Sequence, residues 1–398
     1  MISKQMQQEV AGSSAIRAMF LEGKELAGRI GAENVYDFSL GNPMTPVPEC
    51  YNQAIIEAVQ TESSMELHGY MDNAGYEKTR QAVADNLNQR FGTEFEAKHI
   101  VMTVGAAGAL NVVFKTILDP GDEALALAPY FGEYRGYVAN HQGVLREIKP
   151  DIPSFQPDLA DLESKITEKT KALILNNPVN PTGVVYSEKT IQGIAAILEE
   201  KQREYNHEIY LVSDEPYREL VYDGEEAPFL TNYYDNTFVT YSFSKSLSIP
   251  GERIGYIAAC PRMAECAQAV QGLSVANRIL GFVNAPSLMQ KALVKAIDAR
   301  TDVAYYDRNR QLIYGKLTEL GFTCVKPQGA FYLFIQSPDK DEKKFVEAAK
   351  KHNILLVGGS SFSCPGYVRL AYCVSYEMIE RSLPAFEKLA EEYRRDLR

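Results

Sequence analysis

The sequence predicts an α/β protein: a mostly parallel sheet covered by helices on both faces, followed by a smaller α+β unit. Three observations support this reading. From about residue 100, short apolar segments alternate with longer helical stretches. After about residue 290 the order changes to a long helical stretch and then short strands mixed with helices. The 398 residues, 45% hydrophobic and 23% charged, suffice for two packed domains.

In chain order, residues 13–30 space Ile16, Met19, Phe20 and Leu26 along one apolar helix face. Asp37-Phe38-Ser39-Leu40 is a short strand, broken by Gly41-Asn42-Pro43. Glu49 to Thr61 and Gly75 to Phe91 read as helices. Ile100 to Val104 is a strand, followed by a Gly-Ala-Ala-Gly turn and a helical run through Leu110 and Ile117. Glu123 to Ala128, Ala172 to Leu175, Ile209 to Ser213, Thr237 to Tyr241 and Gly255 to Ala259 are the further strands of the alternating region. Residues 287–318 form a long helix or a helix pair. Then come Phe331 to Phe334, a helix near 342–352, the strands Ile354 to Val357 and Val368 to Ala371, and a terminal helix. The expected division is an N-terminal segment, 1–48, packing with the small domain, a large domain, 49–288, and a small C-terminal domain, 289–398.

A net charge of -11 argues against a nucleic-acid or anionic-membrane surface. The six cysteines, at 50, 260, 266, 324, 364 and 373, form no C-x-x-C pair, and the five histidines show no ligand spacing, so no metal site is expected. Met1 to Gln5 is polar and lacks the apolar core of a signal peptide. Reduced thiols in a cytoplasmic protein are therefore expected.

Five runs bear on chemistry. Tyr241-Ser242-Phe243-Ser244-Lys245-Ser246 rings one lysine with hydroxyls, and Arg253 follows a Pro-Gly turn. A deprotonated lysine attacks aldehydes, while serines and an arginine bind phosphate; pyridoxal phosphate, an aldehyde and a phosphate ester, needs both. Val104-Gly105-Ala106-Ala107-Gly108 at a strand-to-helix turn is either an anion site or a tight turn with close packing. Asn176-Asn177-Pro178-Val179-Asn180-Pro181-Thr182-Gly183 makes a rigid loop where α/β sheets bind ligands. Asp214 ends an apolar strand, where a carboxylate either faces a cation such as a protonated pyridine nitrogen, caps the next helix or pairs with a structural arginine. Arg369, inside the apolar strand Tyr367-Val368-Arg369-Leu370-Ala371, suits a substrate carboxylate or a structural ion pair.

Taken together and in this order, the runs resemble the pyridoxal phosphate-dependent aminotransferases of fold type I, the class I/II group that includes aspartate aminotransferase. The resemblance covers nearly the whole chain. It is most specific in Asn-Pro-x-Asn-Pro-Thr-Gly, Asp-Glu-x-Tyr, and Ser-x-Ser-Lys with an arginine eight positions on. It implies a large domain with a seven-stranded type of sheet.

The resemblance also implies roles. Lys245 matches the lysine that binds pyridoxal phosphate covalently and shuttles the proton, and Asp214 the partner of the ring nitrogen. Asn180 and Tyr217 match the pair on the phenolic oxygen. Gly105, Ala106, Ala107, Ser242, Ser244 and Arg253 match the phosphate cup, and Tyr130 the aromatic that stacks on the ring. Arg369 matches the residue that grips the substrate α-carboxylate, with Gly41 and Asn180 beside it. Tyr70 matches a tyrosine that reaches the neighbouring subunit's phosphate, which implies a homodimer with shared sites.

The implied activity is ping-pong transamination between an amino acid, aspartate-type by overall likeness, and a 2-oxo acid. A carbon–sulfur β-lyase on the same fold is the alternative, and a ligand-sensing regulator is disfavoured because no extra N-terminal domain precedes the pattern. Three departures stand out: Ala106-Ala107 where many relatives carry a hydroxyl, Gly358-Gly359 where relatives often have proline, and no tryptophan. For a second substrate carboxylate only Arg17 and Arg278 offer themselves.

Overall fold

The computed structural model describes residues 2–11 and 15–393. Its centre is a seven-stranded sheet. The strands are β1 (Ile100–Thr103), β2 (Glu123–Leu127), β3 (Val144–Ile148), β4 (Thr170–Asn176), β5 (Tyr210–Asp214), β6 (Thr237–Ser242) and β7 (Gly255–Ala259). Their order across the sheet is β1-β7-β6-β5-β4-β2-β3. The run from β6 to β3 is parallel, and β7 is antiparallel to both its neighbours.

Strand alternation sorts the core into two layers. In β2, Ala124 and Ala126 join Val101, Leu110 and Val113 on one face, whereas Leu125 and Leu127 join Leu173, Leu175 and Leu211 on the other. Each layer is closed by helices: Gly105–Ile117 and Cys266–Ile279 on the first side, Glu188–Tyr205 on the second. The last of these starts at Ser187, whose hydroxyl accepts from the Thr190 amide, and ends at Asn206 in the left-handed region.

A smaller α+β unit follows. Tyr332–Gln336, Tyr367–Ala371 and Val357–Gly358 form an antiparallel three-stranded sheet with the middle strand in register at Phe334↔Arg369 and Val357↔Arg369. Helices Val303–Glu319, Glu342–Lys351 and Tyr376–Glu392 cover it. Tyr36–Asp37 pairs parallel with Ile354–Leu355, and Met19, Val35 and Phe38 share one apolar cluster with residues of this unit.

Several elements escape the sequence reading, among them β3, one helix beside the sheet and the short helices Ser64–His68, Tyr134–Ala139 and Leu159–Lys165. β3 is an edge strand with Val144, Arg146 and Glu147 exposed, so it shows no apolar run. Helix Cys266–Ile279 buries Leu273, Ala276 and Asn277, with Cys266, Ala269 and Val270 half-buried beside them, a face on which Leu273 is the one large buried apolar side chain. The stretch 287–318 is a pair, Ser287–Ala296 and Val303–Glu319, the second capped by Asp302. The helix read over 13–30 is Ala15–Ile30, preceded by the helix Lys4–Ala11; Ser13 and Ser14, where the sequence reading begins it, lie outside the described residues.

Candidate active site

The adjacent carboxyl ends of β4, β5 and β6 open into a cavity of about 270 Å³. The register Asn176↔Asp214 and Asp214↔Thr240 sets the ends of β4 and β5 side by side, and Lys245 follows β6 on the one-turn helix Phe243–Ser246. Ligands bind at such edges because the loops leave the sheet there. Gly41, Ala106, Ala107, Asn180, Asp214, Tyr217, Ser242, Ser244, Lys245, Arg253 and Arg369, all singled out in the sequence, line this one cavity.

The Lys245 ammonium donates to the Gly41 carbonyl at 2.6 Å. Burial pushes its pKa down to about 8; Cys373 opposes that shift, and the charges of Arg369 and Arg253 add to it. An amine so placed loses its proton far more readily than a solvated lysine.

Asp214 Oδ2 accepts from the Tyr134 hydroxyl at 2.5 Å, while Oδ1 is buried with no partner among the described residues. Burial raises this carboxyl to about 7, held back by the Tyr134 hydrogen bond and assisted by Glu215. Of the roles the sequence leaves open, a structural arginine falls to its neighbour: Glu215 pairs with Arg218 at 2.5 Å and accepts from Ser213. Asp214 is left with an oxygen to offer a cationic or N–H-bearing ligand.

Asn180 and Tyr217 sit opposite. Asn180 Oδ1 accepts from Arg369 Nη1 at 3.0 Å, and the Asn180 backbone N–H donates to Asn176 Oδ1 at 2.7 Å. The hydroxyls of Tyr217 and Tyr332 are 2.7 Å apart. Arg369, 2% exposed, donates through Nη2 to the Ser39 carbonyl at 2.6 Å and stacks between the rings of Tyr332 and Phe362. Among the described residues no carboxylate pairs with it, and its Nε is buried without a partner. A guanidinium in that state is poised for an incoming carboxylate.

The far end is an anion cradle. Gly105 has φ +79°, and a Cβ there would lie 2.9 Å from Arg253 Nη2, so only glycine lets the guanidinium close on the turn. Arg253 is held by the carbonyls of Pro250, at 3.0 Å, and Val104, at 3.2 Å. Ser242 and Ser244 hydroxyls lie 2.7 Å apart, and helix Gly105–Ile117 points its first N–H groups here. Ala106 and Ala107 line the cavity and bring no hydroxyl.

One sequence assignment falls elsewhere, and one is assigned by the resemblance to a neighbouring subunit's site rather than to this cavity. Tyr130 does not line the cavity: its hydroxyl reaches Glu147 on the edge strand at 2.7 Å and its ring stacks on Tyr134. The next residue, Phe131, faces the cavity, because the Glu147 bond draws Tyr130 to the sheet side. Tyr70 is 95% exposed and outside the cavity of its own chain. Arg17 and Arg278 are exposed and do not line it either.

Sequence reasoning missed Tyr134 and Tyr332. Tyr332 had a signal, a hydroxyl in the apolar strand Phe331-Tyr332-Leu333-Phe334, the same clue that exposed Arg369. Tyr134 had none, since only folding brings it 80 residues along the chain to Asp214. Asn176, in the same loop motif as Asn180, donates to the Asp214 carbonyl at 2.8 Å and accepts from the Asn180 backbone N–H, a link the motif alone does not reveal.

Comparison with known proteins agrees with this geometry. The family model for aminotransferase class I and II matches residues 33–386. The chain is similar to the crystal structure of an aminotransferase from Eubacterium rectale, with 45% identity, TM-score 0.96 and 99% of each chain covered. It is 30% identical to an aspartate aminotransferase of Thermotoga maritima, over 93% of this chain and 95% of the relative. It is 32% identical to a probable aspartate/prephenate aminotransferase of Aquifex aeolicus, over 93% and 94%. With the family model spanning residues 33–386 and the relatives matched over almost their whole length, the chain belongs to the class I and II aminotransferases of fold type I.

Proposed function

We propose that this protein transfers an amino group between an amino acid and a 2-oxo acid with pyridoxal phosphate, as a cytoplasmic homodimer. The observation that carries the reading is the buried, unpartnered Oδ1 of Asp214 in the same cavity as the readily deprotonated Lys245. The donor set fits the cofactor: a carboxylate for the ring nitrogen, Asn180 and Tyr217 for the phenolic oxygen, and Ser242, Ser244, Arg253 and the Gly105 turn for the phosphate. When bound, the cofactor supplies an electron sink for the bond broken at the substrate's α-carbon. Asp214 keeps the ring nitrogen protonated. Arg369 orients the substrate by its α-carboxylate, and Lys245 Nζ removes and returns the proton. Tyr70, so exposed in one chain, is given to the partner's phosphate. The relatives' names make aspartate the first donor to try.

The test is direct. Lys245→Ala should fold, lose the visible absorbance of covalently held cofactor and lose nearly all turnover. Retained absorbance of that kind would sink the lysine's role. Pyruvate and ammonia released from cystathionine without an oxo acid acceptor would favour the β-lyase reading instead.

A further inference from the structure

The cavity holds three cations, and each has a place. Lys245 is bonded to the Gly41 carbonyl, Arg253 is tied to the glycine turn by two carbonyls, and Arg369 is fixed by Asn180 and Ser39. Among the described residues no further lysine, arginine or histidine lines the wall. Tyr137, Asn176 and Tyr332 bring uncharged polar groups, and the aliphatic and phenyl part of the wall is Ile16 from helix Ala15–Ile30, Leu40, Leu110 and Phe131. Arg17 is one residue from Ile16, but one helical step turns a side chain by about 100°, and Arg17 is exposed.

We infer that Ile16, Leu40, Leu110 and Phe131 form the subsite for the substrate's side chain, and that the amino donor carries an apolar side chain, branched aliphatic, thioether or aromatic, in preference to a second carboxylate. This rests on the transaminase reading above, and it departs from the aspartate donor in the names of the Thermotoga maritima and Aquifex aeolicus relatives. The physical ground is the cost of desolvation. A side-chain carboxylate among these four residues gives up its hydration and meets no counter-charge from the described residues of its own chain. An apolar side chain there is itself taken out of water, which is favourable in proportion to the area buried.

The test uses the assembled holoenzyme, so that any contribution from a partner subunit is included. Leucine, methionine, phenylalanine, aspartate and glutamate are each mixed with it without acceptor, and the loss of the cofactor's visible absorbance is followed. Calorimetry adds a readout free of turnover, with 4-methylpentanoate against succinate. The expected result is at least a tenfold preference for the apolar donors in second-order rate constant, and tighter binding of 4-methylpentanoate. Equal or better performance of aspartate, glutamate and succinate would overturn the inference and leave the transaminase reading intact. A holoenzyme whose absorbance no amino acid depletes would overturn that reading, and this inference with it. Ile16→Arg should move the leucine-to-aspartate ratio at least tenfold toward aspartate. An unmoved ratio in a variant with native circular dichroism would overturn the assigned wall.

Discussion

The hydroxyl of Tyr134 lies 2.5 Å from Oδ2 of Asp214 and leaves Oδ1 of the same carboxylate unpartnered. One oxygen is thereby fixed by the protein and the other kept for a ligand. The bond also stabilises the ionised form, against a burial that pushes the group to about 7.

Tyr134→Phe should therefore raise the Asp214 pKa further. A hydrogen bond to a charged group is worth about 1.5–3 kcal/mol, or about one to two pH units. The acid limb of the kcat/KM profile should move upward by that order, with the loss of activity greatest at low pH and partly recovered at high pH. A uniform loss at every pH would show that Tyr134 acts only in packing.

Lys245 makes a prediction about stability in the cofactor-free protein. Its folded pKa is depressed, from 10.5 to about 8. The sign follows: its stability contribution is complete above about 10.5, where both states are neutral, and is lost as the pH falls through about 8. Lys245→Met should thus be more stable than the native chain at pH 7, by an amount on the order of 2–3 kcal/mol, and the gain should vanish toward pH 10.5. Urea unfolding across that range checks it; a gain independent of pH would count against the buried ammonium.

Arg369→Lys should keep charge but lose the planar fork. With only a point charge to reach Asn180, Ser39 and a substrate carboxylate, the variant should lose about a hundredfold in kcat/KM for every amino acid tested, the scale of one or two charged hydrogen bonds. Steady-state kinetics over several donors would show it. A loss confined to one donor would place Arg369 at the side chain instead.

Gly105→Ala adds a Cβ where φ is +79° and Arg253 stands 2.9 Å away. The left-handed conformation alone costs about 1–2 kcal/mol, and the arginine must retreat. Retention of pyridoxal phosphate through dialysis should fall at least tenfold, whereas Gly92→Ala, where a Cβ meets nothing within 4 Å, should leave it unchanged.

Most of the sheet was legible because its strands are buried on both faces and read as apolar runs. β3 was not, because an edge strand exposed at Val144, Arg146 and Glu147 carries no such run. The site followed the same logic. Asp214 and Arg369 are charges set in apolar strands, and a charge in that setting demands a partner, so each announced itself. Tyr130 and Phe131 differ by one position and both are aromatic; only the bond from Tyr130 to Glu147 decides which ring faces the cavity. Tyr134 reaches Asp214 by folding alone.

The segment from Tyr36 to Gly41 is paired at one end with Ile354–Leu355. Within four residues of Asp37 it then gives the Ser39 carbonyl to Arg369 and the Gly41 carbonyl to Lys245. Its length is accordingly a calibrated distance between two anchor points. Insertions that a surface loop absorbs would here detune both cations at once. A single residue added or removed between Asp37 and Gly41 should leave the strand pairing intact yet disable the chemistry.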